Sequence, residues 1–258
     1  MKISIITVCF NSENTIQDTI NSVNMQDYNN IEYIIIDGGS TDKTNEIIEK
    51  NISNVHKYIS EKDNGLYDAI NKGIEISTGD IIGILNSDDT YSSTKIISKI
   101  AECFSNHDLQ LLYADIAFVD DKLSLKRIYS SKYWNPNLLK YGFMPAHPSF
   151  YCRKELYHNY GLYKLNYKIA ADFELIARFF TINKNLIYMY VPQIFVNMKL
   201  GGLSTNSFKS KLIIINEIMN ACKTNAIQTN YIFLFSKYLI KSFLYFNESI
   251  KSYLYEKK

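Results

Sequence analysis

Arginine is nearly missing from this chain of 258 residues: Arg127, Arg153 and Arg178 are the only three among 28 basic side chains. With 26 acidic residues the formal net charge is only +2, too small to draw a polyanion, so nucleic acid is not an expected partner. The four cysteines, Cys9, Cys103, Cys152 and Cys222, lie far apart with no CxxC spacing. That excludes a disulfide framework and a cysteine-rich zinc site. Cys9 and Cys152 sit in apolar stretches and read as buried free thiols. Ten glycines and four prolines exclude collagen-like and low-complexity architectures, and there is no internal repeat. No apolar stretch reaches the ~20 residues that a bilayer crossing needs. The opening "MKISIITVCFN" is too short for a signal peptide and has no cleavage site, so it reads as a first strand. A cytoplasmic protein, at most peripheral to a membrane, is expected.

What is present is alternation. Residues 3–10 read as a buried strand, and Ile16, Ile20 and Val23 then recur at helical spacing. "IEYIIID" is a second apolar strand, "KTNEIIEK" a short helix and "VHKYIS" a third strand. "LYDAINKGIEIS" is a helix and "GDIIGIL" a fourth strand. Strand and helix alternating over the first ~115 residues imply a parallel sheet covered on both faces. Beyond it, "LLYADIAFVDDKLSLKRIYS" reads as two strands joined at Asp120-Asp121-Lys122, "AADFELIARFF" as a helix, and the text from Phe208 as helical.

Ligands of open α/β sheets bind outside the carboxyl ends of the strands. Asp37, Asp63, Asp88 and Asp89 all fall at such ends. Asp88 and Asp89 follow the fourth strand in "GILNSDDTY", where two adjacent carboxylates repel. A divalent cation completed by phosphate oxygens would make the pair worthwhile. The plainer reading is that Ser87 or Asp88 caps a helix running through Ile96, Ile97 and Ile100.

Five stretches, "SIITVCFNSENTIQDTINSVNMQDYNNIEYIIIDGGSTDKT", "SEKDNGLYDAINKGIEISTGDIIGILNSDD", "AHPSFYCRKELY", "AADFELIARF" and "GGLST", occur in the order of the signatures of glycosyltransferase family 2. The chain resembles that family over residues 1 to 205, most closely its bacterial surface-polysaccharide members. The resemblance implies an α/β protein of GT-A fold: a Rossmann-like, mostly parallel central sheet flanked by helices, with a C-terminal helical extension. Residues 1–115 would form the nucleotide-sugar-binding half, 116–205 the acceptor-binding half, and 206–258 the extension. It further implies an inverting transferase moving a hexose or N-acetylhexosamine from a UDP-sugar to a lipid-linked saccharide acceptor in the assembly of O-antigen or capsule.

By the same resemblance Asp89 holds Mn²⁺ or Mg²⁺, Asp88 contacts the donor, and Asp172 is the base that deprotonates the acceptor. Thr7, Asn11 and Asp37 would line the donor at the first strand ends. His147 and the Gly201-Gly202 loop would face the acceptor or close as a flap. Two departures stand out. Gly38 occupies a position where many relatives carry a second acid, which leaves Asp37 or Asp63 to meet the base. Ile70 replaces an arginine of the "ARN.G" motif, which leaves Lys62 or Lys72 to supply positive charge.

The C-terminal "YIFLFSKYLIKSFLYFNESIKSYLYEKK" combines lysines with aromatics at helical spacing. Burial against the domain, contact with a second subunit and contact with an anionic membrane surface all suit such a segment. Two other functions compete: a nucleotidyltransferase acting on sugar phosphates, and a non-catalytic nucleotide-binding protein. "CFNSENT" has neither the glycine nor the basic residue that the first of these wants after the opening strand.

Overall fold

Isoleucine and valine dominate β1 (Ile3–Cys9) and β2 (Ile31–Asp37), whose residues are almost all buried. Branched side chains suit a strand covered on both faces. The computed structural model, which describes residues 1–199 and 208–238, pairs these strands in parallel and adds β3 (Lys57–Ser60) and β4 (Ile81–Ile84) in the order β3-β2-β1-β4. Three helices cover one face: α1 (Ile16–Asn24), α2 (Thr44–Lys50) and α4 (Ile96–Phe104). On the other lie α3 (Leu66–Ile76), α5 (Lys154–Tyr160), α6 (Ala171–Ile182) and α7 (Phe208–Thr224). Strand periodicity divides the core accordingly. Ile3, Ile5 and Ile35 pack towards α1, α2 and α4, whereas Ile6, Val8, Ile34 and Ile36 pack towards α3 and α6.

The sheet continues beyond β4 through β8 (Tyr151–Arg153), β6 (Leu111–Val119), β9 (Tyr188–Lys199) and β5 (Asp89–Tyr91), with β7 (Leu125–Tyr129) paired to β6. β8 is antiparallel to both β4 and β6, so β6 and its parallel neighbour β9 run in the direction of β1. Their carboxyl ends therefore share one edge with those of β1, β2 and β4. Pro192 falls where the β6–β9 register shifts, the position at which a strand tolerates a residue without an N–H.

Gly83 sits opposite Tyr151 across the β4–β8 pair, and a Cβ there would be driven into the tyrosine ring. The ring is fully buried and its hydroxyl is 2.9 Å from that of Tyr91 in β5, so it cannot swing away. Gly83→Ala should therefore destabilise the fold by about 1–3 kcal/mol. A lowered urea midpoint at unchanged m-value would show it; an unchanged midpoint would mean that the ring yields.

The first part of the C-terminal extension is docked. Ile215, Ile218, Ala221 and Cys222 of α7, and Leu234 in the helical residues 231–238, are buried in the main core. Glu217 of α7 accepts the backbone N–H groups of Lys168 (2.7 Å), Ile169 (2.9 Å) and Ala170 (2.8 Å), the residues leading into α6. The membrane and subunit readings invoke residues 231–258, of which 239–258 lie outside the described residues. No helix among the described residues is long and apolar enough to cross a membrane.

Candidate functional site: the carboxyl ends of the strands

Asp37 ends β2 and is fully buried. It accepts N–H groups from Gly39 (3.1 Å) and Ser40 (3.0 Å) and hydroxyls from Ser40 and Ser60 (2.7 Å for Ser60). A carboxylate so engaged fastens the loop after β2. Asn11, with φ near +50°, is bonded directly to that loop: its side chain accepts from the Thr41 N–H at 2.9 Å and its own N–H donates to Ser40 at 2.7 Å. Ser12 and Ser87 are linked hydroxyl to hydroxyl at 2.8 Å, which ties the end of β1 to the end of β4.

Gly38 lacks a side chain for a reason visible here. A Cβ would stand 2.5 Å from Asp63 Oδ2. The Asp63 carboxylate, anchored on the Gly65 N–H at 2.8 Å, fills the space above residue 38. An acid is thus present beside β2, contributed by the loop after β3.

The acid pair does not cap α4, whose N-terminal residue follows Lys95. Instead Asp89 opens β5, three residues antiparallel to β9 with Asp89 opposite Met198. The Asp89 side chain is fully buried; Oδ2 accepts from Asn86 at 3.3 Å, and Oδ1 has no hydrogen-bond partner. Burial, and then the charge of Asp88, push its carboxyl well above the ordinary range. Asp88 is half-buried; burial raises its carboxyl too, while Lys199 pulls it back down. The contrast with Glu32 in the same sheet is instructive. That equally buried acid is satisfied by Ser4 (2.6 Å), the Thr78 N–H (2.6 Å) and Lys57 (2.9 Å). A buried acid left with an orphaned oxygen is costly unless a cation completes it. Two carboxylates with oxygen-only chemistry fit Mn²⁺ or Mg²⁺, whose remaining positions are commonly filled by phosphate and water. Among the described residues no cluster of three or more His, Cys, Asp or Glu is placed to hold a metal.

Asp172 lies in the first turn of α6, half-buried, with Oδ1 accepting the Phe173 N–H at 2.7 Å. Burial raises its carboxyl, opposed by His147 and by that N–H. His147 is close enough to feel Asp172, although burial lowers its own basicity more. Its Nε2 is 2.7 Å from the Tyr163 hydroxyl. Asn71 of the "AINKG" stretch fixes Tyr163 by exchanging two bonds with its backbone, at 2.8 and 2.9 Å. The next acid on the helix has a different role. Glu174 is fully buried against Arg178 (2.9 Å) and Lys164 (2.7 Å), and Arg178 also grips the Gly161 and Leu162 carbonyls.

The structure therefore brings Asn11, Asp37, Asp63, Asp88 and Asp89 to the strand ends and sets Asp172 beside His147. It corrects two expectations. Thr7 is fully buried inside β1, two residues short of the strand end, where its hydroxyl accepts from Tyr33 at 3.2 Å. Lys72 is paired with Glu61 (2.7 Å) and Asp68 (3.6 Å), so its charge is already compensated. Lys62 is exposed beyond β3. Gly201 and Gly202, the expected flap, lie outside the described residues. Lys199, whose charge is felt by Asp88, was not singled out by sequence reasoning, and its position depends on pairing between segments 110 residues apart.

A family model described as Glycosyl transferase family 2 matches residues 4–161. A Mycobacterium tuberculosis protein named PGL/p-HBAD biosynthesis glycosyltransferase is 28% identical over 218 residues, 78% of either chain. A Haemophilus influenzae protein named as an uncharacterized glycosyltransferase is 28% identical over 240 residues, covering 92% of this chain and 95% of its own. Among solved structures, Staphylococcus aureus TarS 1–349 in complex with UDP-GlcNAc superposes with a TM-score of 0.66 at 18% identity, covering 85% of this chain and 67% of that one. The mannosyltransferase PcManGT from Pyrobaculum calidifontis, in complex with GDP-Man and Mn²⁺, gives 0.65 at 13% identity, covering 89% and 65%. These structures share the GT-A architecture, and the sequence match extends over more than half of the chain. The chain is a GT-A glycosyltransferase and belongs to glycosyl transferase family 2.

Proposed function

We propose that this enzyme is an inverting, metal-assisted transferase that moves a hexose or N-acetylhexosamine from a UDP-sugar to a saccharide acceptor. The observation that carries this reading is the orphaned, fully buried oxygen of Asp89 at the start of β5, next to Asp88. Asp89 would hold Mn²⁺ or Mg²⁺, which supplies Lewis-acid stabilisation of the departing diphosphate, while Asp88 contacts the donor. The TarS and PcManGT complexes, with UDP-GlcNAc in one and GDP-Man and Mn²⁺ in the other, support a nucleotide-sugar donor.

Asp63, in the space that Gly38 leaves open, accepts the imide N–H of uracil. Asp172 takes the proton from the acceptor hydroxyl as that oxygen attacks the anomeric carbon opposite the leaving diphosphate, so an α-linked donor yields a β-linkage. Tyr163 and His147 shape the wall beside Asp172 and limit water. The acceptor is a growing surface polysaccharide or glycolipid, in keeping with the mycobacterial relative's name. Exposed Tyr231, Ile232 and Phe235 suit a membrane face where lipid-linked acceptors reside.

Incubating the purified chain with a panel of UDP-sugars, with GDP-mannose in a parallel arm, tests the reading. Release of UDP from one sugar, abolished by EDTA and restored by Mn²⁺ or Mg²⁺, is expected. Release that is indifferent to chelation would remove the metal from the account. Release of GDP alone would reassign the donor.

A further inference from the structure

A divalent ion at Asp89 has its charge already matched by the carboxylates of Asp89 and Asp88, so the donor's diphosphate arrives at a corner with no surplus positive charge. The leaving group then gains negative charge as the glycosidic bond breaks. The protein's three arginines are engaged elsewhere. Arg127 lies over the Phe118 ring at 3.9 Å, Arg153 donates to the Leu109 and His107 carbonyls, and Arg178 is clamped on Glu174. Lys72 is held by Glu61 and Asp68, and Lys62 follows β3, three strand positions from β4, or about 14 Å across the sheet.

Lys199 is differently placed. It ends β9, one residue beyond the Met198–Asp89 pair, level with the turn that carries Asp88. It is only 17% exposed, and its Nζ is 3.2 Å from Asp18 Oδ2 in the first turn of α1. Asp18 is 60% exposed, and such pairs are held by at most ~1 kcal/mol. A diphosphate oxygen, more highly charged and less exposed, would displace that partner.

We propose that Lys199 is the cation that grips the donor's diphosphate, parked on Asp18 until the nucleotide arrives. The inference rests on the donor reading above. With nucleotide bound, the ammonium leaves Asp18 and donates to the phosphate next to the sugar, where it offsets charge that the metal cannot.

Calorimetric titration of the whole chain with UDP in Mn²⁺, alongside Mn²⁺ alone, tests it. Lys199→Ala should weaken UDP by about tenfold or more, the loss expected for a charge-assisted bond. Lys199→Arg should stay within a few-fold of the parent. Mn²⁺ alone should bind Lys199→Ala no more weakly, because a competing positive charge has gone. Asp18→Asn, which frees the lysine, should bind UDP as tightly as the parent or more so. If Lys199→Ala binds UDP like the parent, the assignment is wrong. If Asp18→Asn loses as much UDP affinity as Lys199→Ala, the pair is merely a strut between α1 and β9. A parent protein that binds Mn²⁺ but no UDP would instead overturn the donor reading beneath it.

Discussion

Replacing Asp172 by Asn should reduce transfer by about a thousandfold while leaving UDP affinity within a factor of two. General-base catalysis typically contributes 10²–10⁴, and Asn preserves the shape and the acceptor of the Phe173 N–H, so the first turn of α6 stays formed. Single-turnover assays alongside UDP titration separate the two effects. Equal losses in both would show that Asp172 organises the donor side. The pH profile gives a second check. Burial raises the Asp172 carboxyl, so the inactive, protonated form persists to higher pH than for an exposed aspartate. The acid limb of kcat/KM should lie above the ordinary carboxyl value of 3.8, with activity lost as pH falls through it.

Asp89→Asn should stabilise the protein and disable it. The parent carboxylate is buried with one oxygen unpaired, and its folded pKa lies well above 3.8. The folded state therefore binds more protons than the unfolded one in the interval above 3.8, and stability falls as pH rises through it. At neutral pH, without metal, the neutral amide removes that cost. The thermal midpoint should rise by several degrees, since ~1 kcal/mol moves a chain of this size by roughly 2–4 °C. Adding Mn²⁺ should raise the midpoint of the parent through linkage and leave the variant where it was. Transfer by the variant should be undetectable. A variant that still responds to Mn²⁺ would relocate the metal; one that melts lower would show the carboxylate to be structural.

Much of this architecture is legible in the residues. β1, β2 and β4 are nearly unbroken apolar runs because both of their faces are covered, and α1 and α3 announce themselves by 3.6-residue spacing. The Asp-rich strand ends follow from the direction of a parallel sheet. What could not be read is non-local. β5 is only three residues long, too short to show a period, and exists because β9 pairs with it. That same pairing brings the charge of Lys199 to where Asp88 feels it. Thr7 was placed at a strand end by motif, whereas alternation along β1 turns its hydroxyl onto Tyr33. Asp63 could be named from the sequence as a substitute for an acid at position 38, but that its carboxylate lies against Gly38 required knowing that two loops touch.

Glu217 makes the tail part of the engine. Its two oxygens carry three backbone bonds at the threshold of α6, one turn from Asp172. A chain cut where β9 ends would lose this bracket and leave Asp172 on a fraying helix end. Together with Ile215 and Ile218 in the shared core, Glu217 couples any displacement of α7 to the first turn of α6.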